Sequence, residues 1–333
     1  MKALVYQGAK TLEYTDVADP TPKHGEALIR VDSVGICGSD MHAYLGHDER
    51  RPAPLILGHE VAGTVIGGDW DGKRVTVNPL VTCGSCEYCT QGRDNLCTTR
   101  QIISMPPREG GFAELLAMPM QNLVEVPADV PLEKAALAEP IACGWHASEV
   151  AKRNVQKPFV ECSALVIGGG AIGVGAALSL KAHGITELTL IEPSEARRNM
   201  ISDTTNIAVA SEADGTYDVV IDAVGIAPTR AIASERVKPG GVIVHIGLGS
   251  AKDGLDIRRM TLQEIAFIGT YTYTMQDFKA TAEAIFDGRL GSLDWIDCRP
   301  LSAGAQAFSE LLGGQVASPK IILKPATLGD SNG

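Results

Sequence analysis

The chain is 333 residues long, enough for two domains of ordinary size that each bury a core of their own. With 45% hydrophobic, 21% charged and 5% aromatic residues it has the make-up of a globular protein, which excludes a disordered or fibrous one. A net charge of −11 argues against nucleic acid or an anionic membrane surface as a partner, because both reward clustered Lys and Arg.

The N-terminus MKALVYQGAK has no apolar run of signal-peptide length, and no stretch reaches the roughly 18 apolar residues of a membrane helix. The expected location is therefore the cytoplasm. Thiols stay reduced there, so clustered cysteines point to a metal rather than to disulfides.

Residues 1 to about 130 are punctuated by Pro and Gly and carry short alternating runs, EALIRVDSV (26–34) and KRVTVNPL (73–80), that read as strands of a β-rich domain. From about residue 160 strand-like and helical runs alternate. They are ALVIG (164–168), a helix from Ala171 to His183, ELTLIE (187–192), YDVVIDAVG (217–225), a helix near 228–236, and GVIVHIG (241–247). That alternation predicts a parallel sheet of βαβ units. After AFIGTY (266–271) come an amphipathic helix, DFKATAEAIFDGRL (277–290), a last strand, KIILKP (320–325), and a tail, TLGDSNG, expected to be disordered.

Between a predicted strand and helix, GGGAIG (168–173) fits G-x-G-x-x-G with Gly168, Gly170 and Gly173. These glycines permit a tight turn, close approach of a pyrophosphate and close helix–strand packing, with Ala171 and Ile172 opening the helix whose N-terminus faces the phosphates. Glu192 closes the next strand, where a carboxylate accepts ribose hydroxyls and repels a 2′-phosphate, favouring NAD over NADP. Arg197 and Arg198 either lie against the adenine or are solvated helix charges.

Cys83, Cys86, Cys89 and Cys97 follow C-x2-C-x2-C-x7-C. Four thiolates satisfy a tetrahedral Zn²⁺ and leave no open position, so this is expected to be a structural site; an iron–sulfur cluster is the competing reading. A reactive metal is then sought elsewhere. GICGSDMH (35–42) supplies Cys37, LGHE (57–60) supplies His59 and Glu60, and LAEPIACGWHA (137–147) supplies Glu139. One thiolate, one imidazole and one or two carboxylates leave room for an alcohol oxygen.

Taken in order, GICGSDMH, GHEVAG, the four-cysteine lobe, GGFAE (110–114), AEPIACGWHA, the glycine fingerprint and DAVG (222–225) resemble the zinc-dependent medium-chain dehydrogenase/reductase family over nearly the whole chain. The resemblance implies an α/β protein. Residues 1–141 and 275–333 would form a GroES-like β-rich catalytic domain with a structural-zinc lobe at 81–98, and 142–274 an NAD-binding Rossmann domain. It implies two zinc ions per chain, one catalytic and one structural, and NAD(H). Cys37, His59, Glu60 and Glu139 would serve the catalytic metal, with Glu60 exchanging with water. A Glu rather than a Cys at position 139 points to the sorbitol, glucose and threonine branch.

The activity implied is hydride transfer to NAD⁺ from a secondary alcohol of a polyol, sugar phosphate or sugar acid, in a homodimer or homotetramer whose AFIGTY strand could join sheets between subunits. Ser39 would take the alcohol proton, His42 would pass it to solvent, and Asp40 would orient His59. By themselves Ser39 and Asp40 also suit a helix cap, and His42 and His47 a solvated surface. Arg50, Arg51 and Arg108 are candidates for an anionic group on the substrate or are plain solvated arginines. Cys143, Cys162 and Cys298 read as buried thiols. Within the superfamily the alternative is a zinc-independent quinone or enoyl-type reductase, which the set Cys37, His59 and Glu139 argues against. From another class, a non-catalytic NAD- or zinc-binding protein keeps the same fold.

Overall fold

The computed structural model describes residues 1–326, so the tail TLGDSNG lies outside the described residues. The chain divides into two compact units. One comprises Met1–Glu139, Phe278–Phe286 and the chain from Ile296 on, and the other Pro140–Asp277 and Asp287–Trp295.

In the first unit the alternating sequence EALIRVDSV forms the strand Glu26–Gly35, with Ala27, Ile29 and Val31 buried and Arg30 exposed. Its register against Glu60–Ile66 shifts between Val31 and Ser33. Past this irregularity Ser33, Val34 and Gly35 are all buried, and the strand is carried inward toward Cys37. The sheet runs in the order Leu123–Glu125, Arg74–Val77, Glu60–Ile66, Glu26–Gly35, Lys320–Lys324, Ile296–Pro300, and Leu115–Pro119 also pairs with Glu26–Gly35. The last strand of the chain therefore lies inside a sheet begun by the first thirty-odd residues. A smaller sheet joins Thr11–Asp16, Lys2–Gly8 and Leu55–Ile56. Leu4, Ile29, Leu57, Phe112 and Phe308 fill the core, each side chain contributing about 1.5–3 kcal/mol by burial. Phe308 meets Phe112 edge-on at 5.9 Å.

The second unit holds six parallel strands in the spatial order Ala208–Ala210, Glu187–Ile191, Ser163–Ile167, Tyr217–Asp222, Val237–His245, Ala266–Gly269. Numbered along the chain this is 3-2-1-4-5-6, the doubly wound arrangement expected from the alternating pattern. Ser163–Ile167, buried at every position, is flanked on both sides. The helices Ala138–Asn154 and Ala171–Ala182 approach at Gly144 and Gly175, where a Cβ on Gly144 would lie 2.4 Å from the Ala176 nitrogen.

Element ends differ from the sequence pattern where turn residues intervene. The helix expected over 277–290 spans Met275–Phe286; Gly288, at φ +77°, lies in the turn just beyond it. Beyond the strand Glu60–Ile66, the segment GGDWDG (67–72) holds a single 3-10 turn, Gly68–Trp70. No helix among the described residues is long and apolar enough to cross a membrane.

Candidate functional site

Cys37 sits where the strand Glu26–Gly35 gives way to the helix Gly38–Tyr44 and occupies the N-cap position. Of the two residues suited to capping, Asp40 does it: its Oδ2 accepts the Cys37 backbone N–H at 3.0 Å. Its other oxygen, Oδ1, accepts the Gly58 N–H at 3.3 Å and lies 3.5 Å from His59 Nδ1. One buried carboxylate thus ties the helix bearing Cys37 to the loop bearing His59.

That loop has a second brace. The amides of Gly110, Gly111 and Phe112 donate to the carbonyls of Ile56, Gly58 and Leu57, which explains why GGFAE accompanies LGHE. Gly58 adopts φ +88°, and a Cβ there would lie 2.6 Å from the Phe112 ring, so only glycine fits.

Donor atoms of Cys37, His59 and Glu60 all lie within 4.8 Å of one another, with His59 and Glu60 buried. Asp40 and Ser104, whose Oγ is 3.4 Å from His59 Nδ1, occupy one side of the imidazole. Burial opposes a charge on His59, but the charges of Asp40 and Cys37 outweigh it and hold its pKa well above the usual value. Burial likewise works against the Asp40 carboxylate, yet His59 and Arg51 hold its pKa below the usual range. Glu60 Oε1 accepts Lys320 Nζ at 2.6 Å, whereas Oε2 is buried with no hydrogen-bond partner. A soft thiolate, an imidazole and a carboxylate oxygen lacking a partner suit a zinc ion.

Glu139 stands outside this trio. It lies buried in the first turn of the helix Ala138–Asn154, close enough for its charge to act on Lys320. Ser39 is half-buried and its Oγ receives Arg51 Nη2 at 3.5 Å, while His42 is exposed in the last turn of the same helix.

In the lobe, Cys83, Cys86, Cys89 and Cys97 also converge within 4.8 Å. Three sulfur separations are 3.5, 3.6 and 3.9 Å. Sulfurs about 2.3 Å from a tetrahedral Zn²⁺ stand roughly 3.8 Å apart, so the four residues fit that ion. The backbone amides of Ser85 and Cys86, aimed at Cys83, hold its thiol down to about 5.

At the fingerprint Gly168 adopts φ +104°, and a Cβ on Gly173 would lie 1.8 Å from the Gly168 carbonyl oxygen. Gly170 is the N-cap of the helix Ala171–Ala182, and a Cβ there would meet nothing within 4 Å. This leaves open backbone at a helix N-terminus, which fits a pyrophosphate. Glu192 is buried with both oxygens fixed, Oε2 by the Gly169 amide at 2.9 Å and Oε1 by the Ser194 amide at 2.9 Å. Arg197 Nη1 lies 4.0 Å from Glu192 Oε2, and Arg198 donates to the carbonyls of Glu192 and Pro193.

Several expectations change. Arg51 is buried, not solvated; it donates to Ser104 O at 3.0 Å and pairs with Asp48 at 2.6 Å, so it braces the loop and is not free for an anionic substrate. Arg50 pairs with Asp48, and Arg108 is taken up by Gln101 and Glu26. Cys162 is buried as expected, but Cys143 is only partly so, and Cys298 is exposed because the strand Ile296–Pro300 is at a sheet edge. Sequence reasoning missed Lys320 and Ser104. A lysine opening an apolar strand and a serine in a loop carry no signal until folding brings them to Glu60 and His59.

The family described as alcohol dehydrogenase GroES-like domain matches residues 23–128, and zinc-binding dehydrogenase matches 171–287. L-galactonate-5-dehydrogenase of Escherichia coli K12 is 31% identical over 310 residues, covering 87% of this chain and 88% of that protein. Sorbitol dehydrogenase of Bacillus subtilis is 32% identical, covering 82% of each. Among solved structures, acetophenone reductase from Geotrichum candidum in complex with NAD superposes with a TM-score of 0.86 at 27% identity, over 97% of this chain and 96% of that one. Two matched domains in the order that the motifs require, and two relatives above 30% identity along most of their length, place the chain in the zinc-type medium-chain alcohol and polyol dehydrogenase family.

Proposed function

We propose that the protein oxidises a secondary alcohol of the polyol or sugar-acid class with NAD⁺, using a zinc ion held by Cys37, His59 and Glu60. The observation that carries this reading is the trio, His59 and Glu60 buried and Cys37 partly so, with one carboxylate oxygen, Glu60 Oε2, left without a partner. Zinc bound there supplies a positive charge that lowers the pKa of an alcohol oxygen beside it, and the nicotinamide supplies the hydride acceptor. The chain's own groups do the rest. Cys37 and His59 hold the ion, and Asp40 fixes the imidazole from the Nδ1 side. Ser39 Oγ, with one lone pair occupied by Arg51, takes the alcohol proton on another as it gives up its own hydroxyl proton, which the exposed His42 delivers to solvent. Gly168, Gly170, Ala171, Ile172 and Gly173 hold the coenzyme phosphates. Glu192, fixed by two amides, accepts the ribose hydroxyls and disfavours a 2′-phosphate, with Arg197 beside it. Cys83, Cys86, Cys89 and Cys97 hold a second, structural zinc.

Relatives act on a galactonate and on sorbitol by name, and this sets the substrate class proposed here. A panel of polyols, aldonates and their phosphates, each offered with NAD⁺ and NADP⁺ and followed by reduced-coenzyme absorbance, tests the reading. NADH formation from at least one sugar-derived secondary alcohol is expected; no turnover across the panel would reject it.

We also propose a homodimer or homotetramer joined through the strand Ala266–Gly269. This strand pairs on one side only, and Leu248, Ile257, Leu262 and Phe267 near it expose 81%, 62%, 71% and 37% of their surface. Leu262→Glu with Phe267→Glu is expected to give monomers in sedimentation equilibrium. An unchanged oligomer mass would rule this edge out.

A further inference from the structure

Lys320 and Glu60 form an ion pair sealed inside the first unit, with 4% and 0% of their surfaces exposed. Lys320 comes from the last strand of the chain, Lys320–Lys324. Its ammonium donates to Glu60 Oε1 at 2.6 Å and to the Ile36 carbonyl at 2.8 Å. Ile36 immediately precedes Cys37, so the turn that delivers the thiolate also fixes the ammonium. The ammonium is thus held by two oxygens, one of them from a carboxylate.

We propose that Lys320 is a positioning residue for the metal site, holding Glu60 by one carboxylate oxygen so that only Oε2 faces the metal and a coordination place stays open for substrate. The inference rests on the metal reading of the trio. A carboxylate is free to ligate through one oxygen or two. Here Oε1 is committed to an ammonium inside the core, where burial weakens screening of the pair, while Oε2 has no hydrogen-bond partner. The carboxylate also has a floor, since a Cβ on Gly35 would lie 1.8 Å from Oε2 and 3.1 Å from Glu60 Cβ. Glu60 is thus confined between the strand backbone and the ammonium. Without the ammonium both oxygens are drawn to the metal, and the site approaches the closed, fully satisfied shell of a structural zinc.

Metal release from zinc-loaded enzyme into excess colorimetric chelator tests the inference, because it needs no turnover. The Lys320→Met variant is expected to release the metal of the Cys37 site about tenfold more slowly than the unaltered enzyme, with a lower kcat. Lys320→Arg, which keeps the charge, is expected to restore both. In a Glu60→Gln background the same Lys320→Met change is expected to leave release unaltered. A lysine that merely supported the fold would instead speed release when removed. Release from Lys320→Met as fast as or faster than from the unaltered enzyme, or an equal slowing in the Glu60→Gln background, would overturn the proposal. Should the methionine variant not fold, Lys320→Gln keeps a donor for the Ile36 carbonyl and is read the same way. If the unaltered enzyme releases only one zinc per chain, the metal reading fails and this inference with it. Two zinc ions with no slowing defeats this inference alone.

Discussion

A serine in place of Cys37 is expected to lower kcat/KM by about a thousandfold or more while the protein stays folded. Charge stabilisation by a metal at an alcohol oxygen is worth several kcal/mol, and each 1.36 kcal/mol is a decade in rate, so removing one of three donors sacrifices about three decades. Serine keeps the size and the N-cap position but loses the anionic sulfur. The Asp40 bond to the backbone N–H of residue 37 does not depend on the side chain, so the helix Gly38–Tyr44 keeps its cap. His59→Ala is expected to do the same to turnover but to leave Asp40 buried without its imidazole, so its melting temperature should fall more. Steady-state kinetics with metal analysis checks the pair: zinc should drop from two ions per chain to one in each variant. Full activity in Cys37→Ser would remove that residue from the site.

The second large effect is of a different kind. Cys97→Ala is expected to spare most turnover and to loosen the lobe. Residues 83–97 contain only the short helix Glu87–Thr90 and the 3-10 turn Asp94–Leu96, and among the four cysteines only Cys97 is buried. A segment with so little apolar cover would owe its shape to a metal held by the four thiolates. Cys97 is also the anchor, since its sulfur receives the Cys83 amide at 3.5 Å and lies 3.6 Å from the Cys83 sulfur. Loss of about 3 kcal/mol in local opening free energy corresponds to roughly a hundredfold faster cutting by a protease within the lobe. Loss of one zinc with accelerated cleavage between 83 and 97 and kcat within about tenfold of the parent is the expected result. A lobe as resistant as the parent's would reject the structural assignment.

The contrast between these two clusters also measures what the chain discloses before it folds. The four lobe cysteines are local, so their spacing alone shows four donors meeting, and the structure brings them together. The alternation of strands and helices in the second unit is equally local, and the parallel sheet follows from it. Cys37 with His59 and Glu60 required two motifs to be read jointly. Glu139 came from a third motif; its oxygens are not among the three clustered donors, though its charge acts on Lys320. Arg51 misled for a related reason. In a loop rich in charge and proline it reads as solvated, yet burial and the carbonyl of Ser104, far along the chain, set its role. Contacts made across 53 residues, as here, leave no periodicity or spacing to read.

The interior place of the strand Lys320–Lys324 has a consequence for the growing chain. It lies between Glu26–Gly35 and Ile296–Pro300, pairing antiparallel with the first and parallel with the second. On the ribosome, every strand of the parallel sheet, from Ser163 to Gly269, is made before this one appears. The second unit can therefore complete its sheet while the first, begun earlier, still waits with an unpaired edge at Val34 and Gly35. Completion runs opposite to synthesis, and the nascent N-terminal segment is the part that most needs protection. Cys37, His59 and Glu60 emerge early, and the lysine that balances Glu60 emerges 260 residues after it, so metal captured in between meets a site still one cation short.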